Sequence, residues 1–130
     1  MSIKEMIAEH PHVKGNDNEP LGDAVKHAMY CAAIANACAD ACAGEEDAGS
    51  RGDCIRLCAD TSDLCTAVYR MGSRRTGDNE AILKQLLELC AQMCERCAAM
   101  CEMHDDAHCK RCAKMCRETV EDCRKALETL

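Results

Sequence analysis

The sequence predicts an all-α fold, an antiparallel up-down-up-down four-helix bundle with a short N-terminal helical segment. Three observations lead there. Glycine and proline breaks cut the chain into four long proline-free segments. Those segments are rich in Ala, Leu, Glu, Lys, Arg and Met, all good helix formers. Their cysteines recur at steps of three, four or seven, which puts each set on one face of its helix. Four helices with short connections pack as a bundle of alternating direction.

Pro11, Gly15 and Pro20 set residues 1–20 apart as an N-terminal segment, leaving 21–130 for the bundle. The first helix is expected over 21–43 and ends at the run GEEDAGSRGD, whose acidic Glu45–Asp47 stretch reads as a solvated loop. The second is expected over 51–72, before the breaker run GSRRTGDN at 72–79. The third covers 79–104 and the fourth 106–129. Between these last two lies a softer break, MHDDAH, where Asp105 or Asp106 is placed to cap a new helix.

The composition is unusual for a bundle. Apolar residues make up 48% of the 130 positions, yet there is no Phe, no Trp and only 2 Tyr, while Cys numbers 14. Sulfur must therefore occupy core volume that Leu and Phe would otherwise fill. The stripes are Cys31, Cys38 and Cys42; Cys54, Cys58 and Cys65; Cys90, Cys94, Cys97 and Cys101; and Cys109, Cys112, Cys116 and Cys123. Leu83 and Leu87 extend the third, and Val120 and Leu127 the fourth. Residues at equal height in an antiparallel hairpin have position numbers with a constant sum. Cys42/Cys54, Cys38/Cys58 and Cys31/Cys65 obey this, as do Cys101/Cys109, Cys97/Cys112 and Cys94/Cys116 to within one position. The thiols are thus expected in layers along the bundle axis.

A cysteine-rich chain is either a secreted disulfide scaffold or an intracellular metal protein. Met1–Val13 carries Lys4, Glu5 and Glu9 and has no signal-peptide core, and no stretch is long enough to span a membrane. The expectation is a cytoplasmic protein with reduced thiols. A net charge of -7 argues against a nucleic-acid partner. No base, nucleophile and orienting group come together in the sequence, so an enzyme is not expected.

Soft thiolates select Cu(I), zinc or iron–sulfur clusters. Charge separates these. Exchanging one thiol proton for one Cu⁺ leaves a buried core neutral, whereas uncompensated buried charge is expensive. Zinc wants closed tetrahedral quartets, and a continuous stripe does not lay them out. The reading is a store of multiple Cu(I) ions, with copper as cargo. His104 lies seven after Cys97 and His108 seven after Cys101, so both carry the stripe into the loop as a mouth for copper. Met100, Met103 and, at the other end, His27 are candidate further ligands. Leu83, Leu87, Val68 and Leu127 read as an apolar plug far from that mouth.

Two alternatives stay open at this level. Cys38-x₃-Cys42 with Cys54-x₃-Cys58 matches the twin CX₃C pattern of disulfide-clamped helical hairpins, a structural or chaperone-like class. Cys94-x₂-Cys97 with Cys109-x₂-Cys112 matches a four-cysteine zinc site.

The four cysteine stripes, the C-x₃-C-x₂-C-x₃-C run at 90–101, and His104 and His108 before Cys109 resemble the bacterial copper storage proteins, in their cytosolic branch. The resemblance covers Leu21–Leu130. It implies homotetramers, bulk Cu(I) inside each bundle, ligand roles for all 14 cysteines, and admission of copper past His104 and His108. The chain departs from the pattern in having fewer cysteines, with gaps at Ile34/Ala35, Thr61/Ser62 and Thr119/Val120.

Overall fold

A computed structural model describes residues 2–14, 16–75 and 77–130. The predicted break at Gly15, and Thr76 within the predicted 72–79 loop, lie outside the described residues. The elements are α1 (Ile3–Ala8), α2 (Glu19–Ala43), a 3-10 turn (Ala48–Ser50), α3 (Gly52–Gly72), α4 (Glu80–Cys101) and α5 (Ala107–Leu127). No described residue is in a strand, and no helix is long and apolar enough to cross a membrane.

The predicted helices are all present, with shifted ends. The first long helix starts at Glu19, ahead of the expected Leu21, because Asn18 caps it by accepting from the Leu21 N–H at 3.0 Å. Pro20 then sits in the first turn, where a missing N–H costs nothing. α4 stops at Cys101, short of 104, and the chain turns through Met103 and His104, whose N–H groups return to the Met100 and Cys101 carbonyls at 3.1 Å. Asp106 takes the cap position of α5, yet its side chain makes no capping bond. It is committed elsewhere.

The four long helices form a closed ring in which α2 packs on α3, α3 on α4, α4 on α5 and α5 back on α2. Short connections alternate their direction. Each helix turns its cysteine face inward: all 14 cysteines are buried, at 0–2% exposure. Large apolar side chains gather at one end, where Leu21, Val25, Val68, Leu83 and Leu87 are buried. That is the expected plug, with Leu21 and Val25 of α2 added; Leu127 is only partly buried against it.

The N-terminal segment is tied to the bundle. Ile7 and Val13 are buried, and Lys4 ties α1 to α2 through Glu19 at 3.1 Å and Asp23 at 2.7 Å. His12 remains exposed, its N–H on His10 Nδ1 at 3.0 Å.

Gly72 marks the tightest approach at this end. A Cβ there would lie 2.6 Å from Val25 Cγ2, a short β-branched side chain that is itself fully buried. Gly72→Ala is expected to lower stability by about 1–2 kcal/mol despite the better helix propensity of alanine. Thermal denaturation would show this as a lower Tm, partly restored in the Gly72→Ala, Val25→Ala double variant.

Candidate metal centre

Helical periodicity brings the sulfurs to the axis, and the ring arrangement decides which of them touch. Cys42 Sγ lies 3.7 Å from Cys109 Sγ, and Cys31 Sγ lies 3.8 Å from Cys116 Sγ, both across α2 and α5. Cys58 is 3.7 Å from Cys97 and from Cys101, and Cys65 is 3.6 Å from Cys90 and 3.8 Å from Cys94, all across α3 and α4. These closest contacts run between the predicted hairpins rather than within them. The layers survive all the same, since Cys38 and Cys58 share one group with Cys101 and Cys112.

The potential ligand groups interlock. Cys38, Cys42, His108 and Cys109 form the outermost, with ligand atoms within 4.8 Å of one another. Cys38 also belongs to the group with Cys58, Cys101 and Cys112; Cys112 belongs to one with Cys97 and Cys116. Cys116 joins Cys31 and Cys94, and Cys94 joins Cys65 and Cys90. A chain of shared sulfurs therefore runs unbroken from His108 to Cys90. Shared ligands are what bridged, low-coordinate ions require, and what isolated tetrahedral sites avoid.

The cysteine gaps narrow this chain without cutting it. Ala35 and Thr61 are fully buried between the cysteines of α2 and α3, so the middle link runs through Cys97, Cys112 and Cys116 of α4 and α5. The threonine hydroxyls are used up locally: Thr61 donates to the Leu57 carbonyl at 2.7 Å and Thr119 to the Met115 carbonyl at 2.8 Å. Ser62 reaches across to the Ala32 carbonyl at 2.7 Å.

Thiols this crowded do not share one acidity. Hydrogen bonds from neighbours hold some well below the ordinary thiol value: Cys116 acts foremost on Cys31, Cys123 on Cys90, and Cys101 on both Cys38 and Cys97. Burial pushes Cys54 up to about 11. Neighbouring S–H groups thus favour ionisation at these positions, and thiolate is the form that takes metal.

The mouth is built where the start of α5 meets the α2–α3 connection. His108 Nδ1 faces Cys38 Sγ at 3.4 Å and Cys109 Sγ at 3.5 Å, while Nε2 meets Glu45 Oε1 at 3.1 Å. The contact with Cys38, helped by Glu45, raises the imidazole above its ordinary value. Glu45 belongs to the run read as a solvated loop; it orients the histidine instead, in the manner of an outer-shell carboxylate. Arg51 was likewise unforeseen. It is the one buried charged side chain among the described residues, at 6% exposure. Its Nε bonds to Asp47 at 2.7 Å and its Nη1 to Asp106 at 2.6 Å, with Cys42 and Cys109 Sγ each 3.7 Å from Nη1.

The other candidates scatter. His104 is half-buried in the α4–α5 connection, Met100 packs against the core, and Met103 is 77% exposed. His27 is taken by carboxylates on the α2–α5 seam, pairing with Asp122 and lying 4.0 Å from Glu118, with its Nδ1 3.1 Å from the Asp23 carbonyl. The four cysteines of the zinc pattern part company: Cys109 gathers with His108 at the mouth, and Cys94 with Cys65 and Cys90 deep inside. Sulfur separations of 3.6 Å and more are far beyond a disulfide bond.

Comparisons with known proteins follow the same line. No match is found among curated proteins. Among solved structures, the copper storage protein Ccsp from Streptomyces lividans loaded with 10 copper equivalents is 31% identical, with a TM-score of 0.93 over 99% of this chain and 100% of that one. A cytosolic copper storage protein from the same organism, in a structure with five coppers, is 33% identical with a TM-score of 0.83, covering 86% of this chain and 95% of that one. A variant of Ccsp with two histidines changed to alanine is 33% identical with a TM-score of 0.84, over 88% and 98% of the respective chains. The sequence pattern described as "Copper storage protein" matches residues 17–128, and the chain belongs to the copper storage protein family.

Proposed function

We propose that all 14 cysteines serve as Cu(I) ligands in a cytosolic store, with His108 the first ligand of the buried chain of sulfurs that an incoming ion meets. The observation that carries this is the unbroken sequence of shared sulfurs from His108 to Cys90, with Cys54 interacting with Cys42 and Cys123 with Cys90 beside it. An ion held at the mouth can move inward by exchanging one thiolate at a time, never leaving sulfur. Because each Cu⁺ replaces a thiol proton, the core fills without accumulating charge. The cytosolic assignment is supported by the unpaired thiols, which a reducing compartment preserves, and by the description of the 33% identical relative as cytosolic.

His104 is assigned to the outer mouth and Met100 to its lining. Met103 is free to reach a passing ion, and His27, engaged by Asp122, is left out of the path. A homotetramer is proposed from the family resemblance. The exposed Ile82 and Leu89 on α4, at 58% and 53%, offer apolar surface for it, and native mass spectrometry should give four chains.

Anaerobic titration of the fully reduced protein with Cu(I), against a competing chelator, should saturate at about ten or more ions per chain, near one per thiol. Loading should release about one proton per ion, measured at constant pH. Saturation at one or two ions would contradict storage. Replacing Glu45 by Gln should weaken the first ion bound by about tenfold without changing the total. Joint replacement of His104 and His108 by Ala should slow the initial phase of loading; an unchanged rate would remove the histidine mouth.

A further inference from the structure

Arg51 is buried at the copper mouth but is not suited to hold copper. Guanidinium has only donors and stays protonated, so it cannot be a ligand. Its burial demands another explanation, and its partners supply one. Asp47 belongs to the α2–α3 connection and Asp106 to the start of α5, so the side chain ties together two loops that border the mouth. Beneath it lie Cys42 and Cys109, both with 0% exposure and both 3.7 Å from Nη1. The two carboxylates face outward, with side chains 56% and 25% exposed, so the tie is anchored in solvent and shut on the sulfur side. The same outermost thiols meet His108, which can ligate.

We propose that Arg51 is a strap across the mouth that shields Cys42 and Cys109 and so governs how fast copper is exchanged. Copper then passes by way of His108, while the strap keeps chelating molecules off the outermost sulfurs until both charge-assisted bonds open. The strap acts on rates; it leaves the number of ligands, and so the capacity, unchanged. This deepens the storage reading and rests on it only where copper itself is used.

The test separates the two. In the reduced, copper-free protein, alkylation by iodoacetamide is followed cysteine by cysteine with mass spectrometry. In Arg51→Ala, Cys42 and Cys109 should react about tenfold faster or more, the change expected in an opening equilibrium on loss of a charge-assisted hydrogen bond. Cys65 and Cys90, deep in the bundle, should keep their rates, and Arg51→Lys, which retains the charge but not the fork, should fall between. Should Arg51→Ala fail to fold, Asp47→Asn with Asp106→Asn cuts the same strap and leaves Arg51 in place. Unchanged rates at Cys42 and Cys109, or equal acceleration at all four cysteines, would overturn the proposal. In the loaded protein, removal of copper by a chelator should be faster in Arg51→Ala with the same number of ions recovered. A reduced number at an unchanged rate would also overturn it.

Discussion

Burial of sulfur without burial of net charge is the constraint on which the rest of the molecule depends. Fourteen thiols sit at 0–2% exposure along the axis, where a low dielectric makes each lone ionised group costly. Hydrogen bonds among the thiols ease that cost: those received by Cys31, Cys38, Cys90 and Cys97 favour ionisation as a metal displaces the proton. A monovalent soft cation resolves the arrangement, because it replaces a proton one for one. A divalent ion would have to displace two thiol protons to leave the core's charge unchanged.

The division of the bundle follows from that constraint. Cysteine is small and contributes little buried apolar area, so the large side chains that stabilise the fold are concentrated at one end, around Leu21, Val25, Leu83 and Leu87. Ile7 and Val13 of the N-terminal segment add to the buried apolar surface, and Gly72 lets α2 and α3 close tightly there. The opposite end carries loops, carboxylates, His108 and Arg51, and it is there that the proposed mouth reaches the thiols. Stability and exchange are thereby assigned to opposite ends of one axis.

The fold and the interior of the site could be read from the sequence for one physical reason. A helix projects every third, fourth and seventh residue onto one face, so cysteines spaced that way must share a core. Which sulfurs touch was not legible, because hairpin sums fix height but not which neighbour in a ring a side chain leans toward. Cys42 accordingly comes within 3.7 Å of Cys109, in the other hairpin. Glu45 and Arg51 escaped for a different reason. Each is a single residue at a loop or helix end, with no periodicity to mark it, and its partner is distant in sequence: His108 for Glu45 and Asp106 for Arg51. Acidic loop residues beside a candidate histidine were the only available hint. His27 shows the converse: its spacing to Cys31 fits the stripe, and its ring pairs with Asp122.

The central claim is that copper fills a continuous thiol axis, and a crystal structure of the Cu(I)-loaded protein, with anomalous scattering recorded at the copper edge, tests it most directly. The account predicts a file of copper peaks running from the group of Cys38, Cys42, His108 and Cys109 inward to Cys65 and Cys90, with none among Leu21, Val25 and Leu83. One or two isolated peaks with tetrahedral surroundings, or copper confined to surface carboxylates and His27, would contradict it.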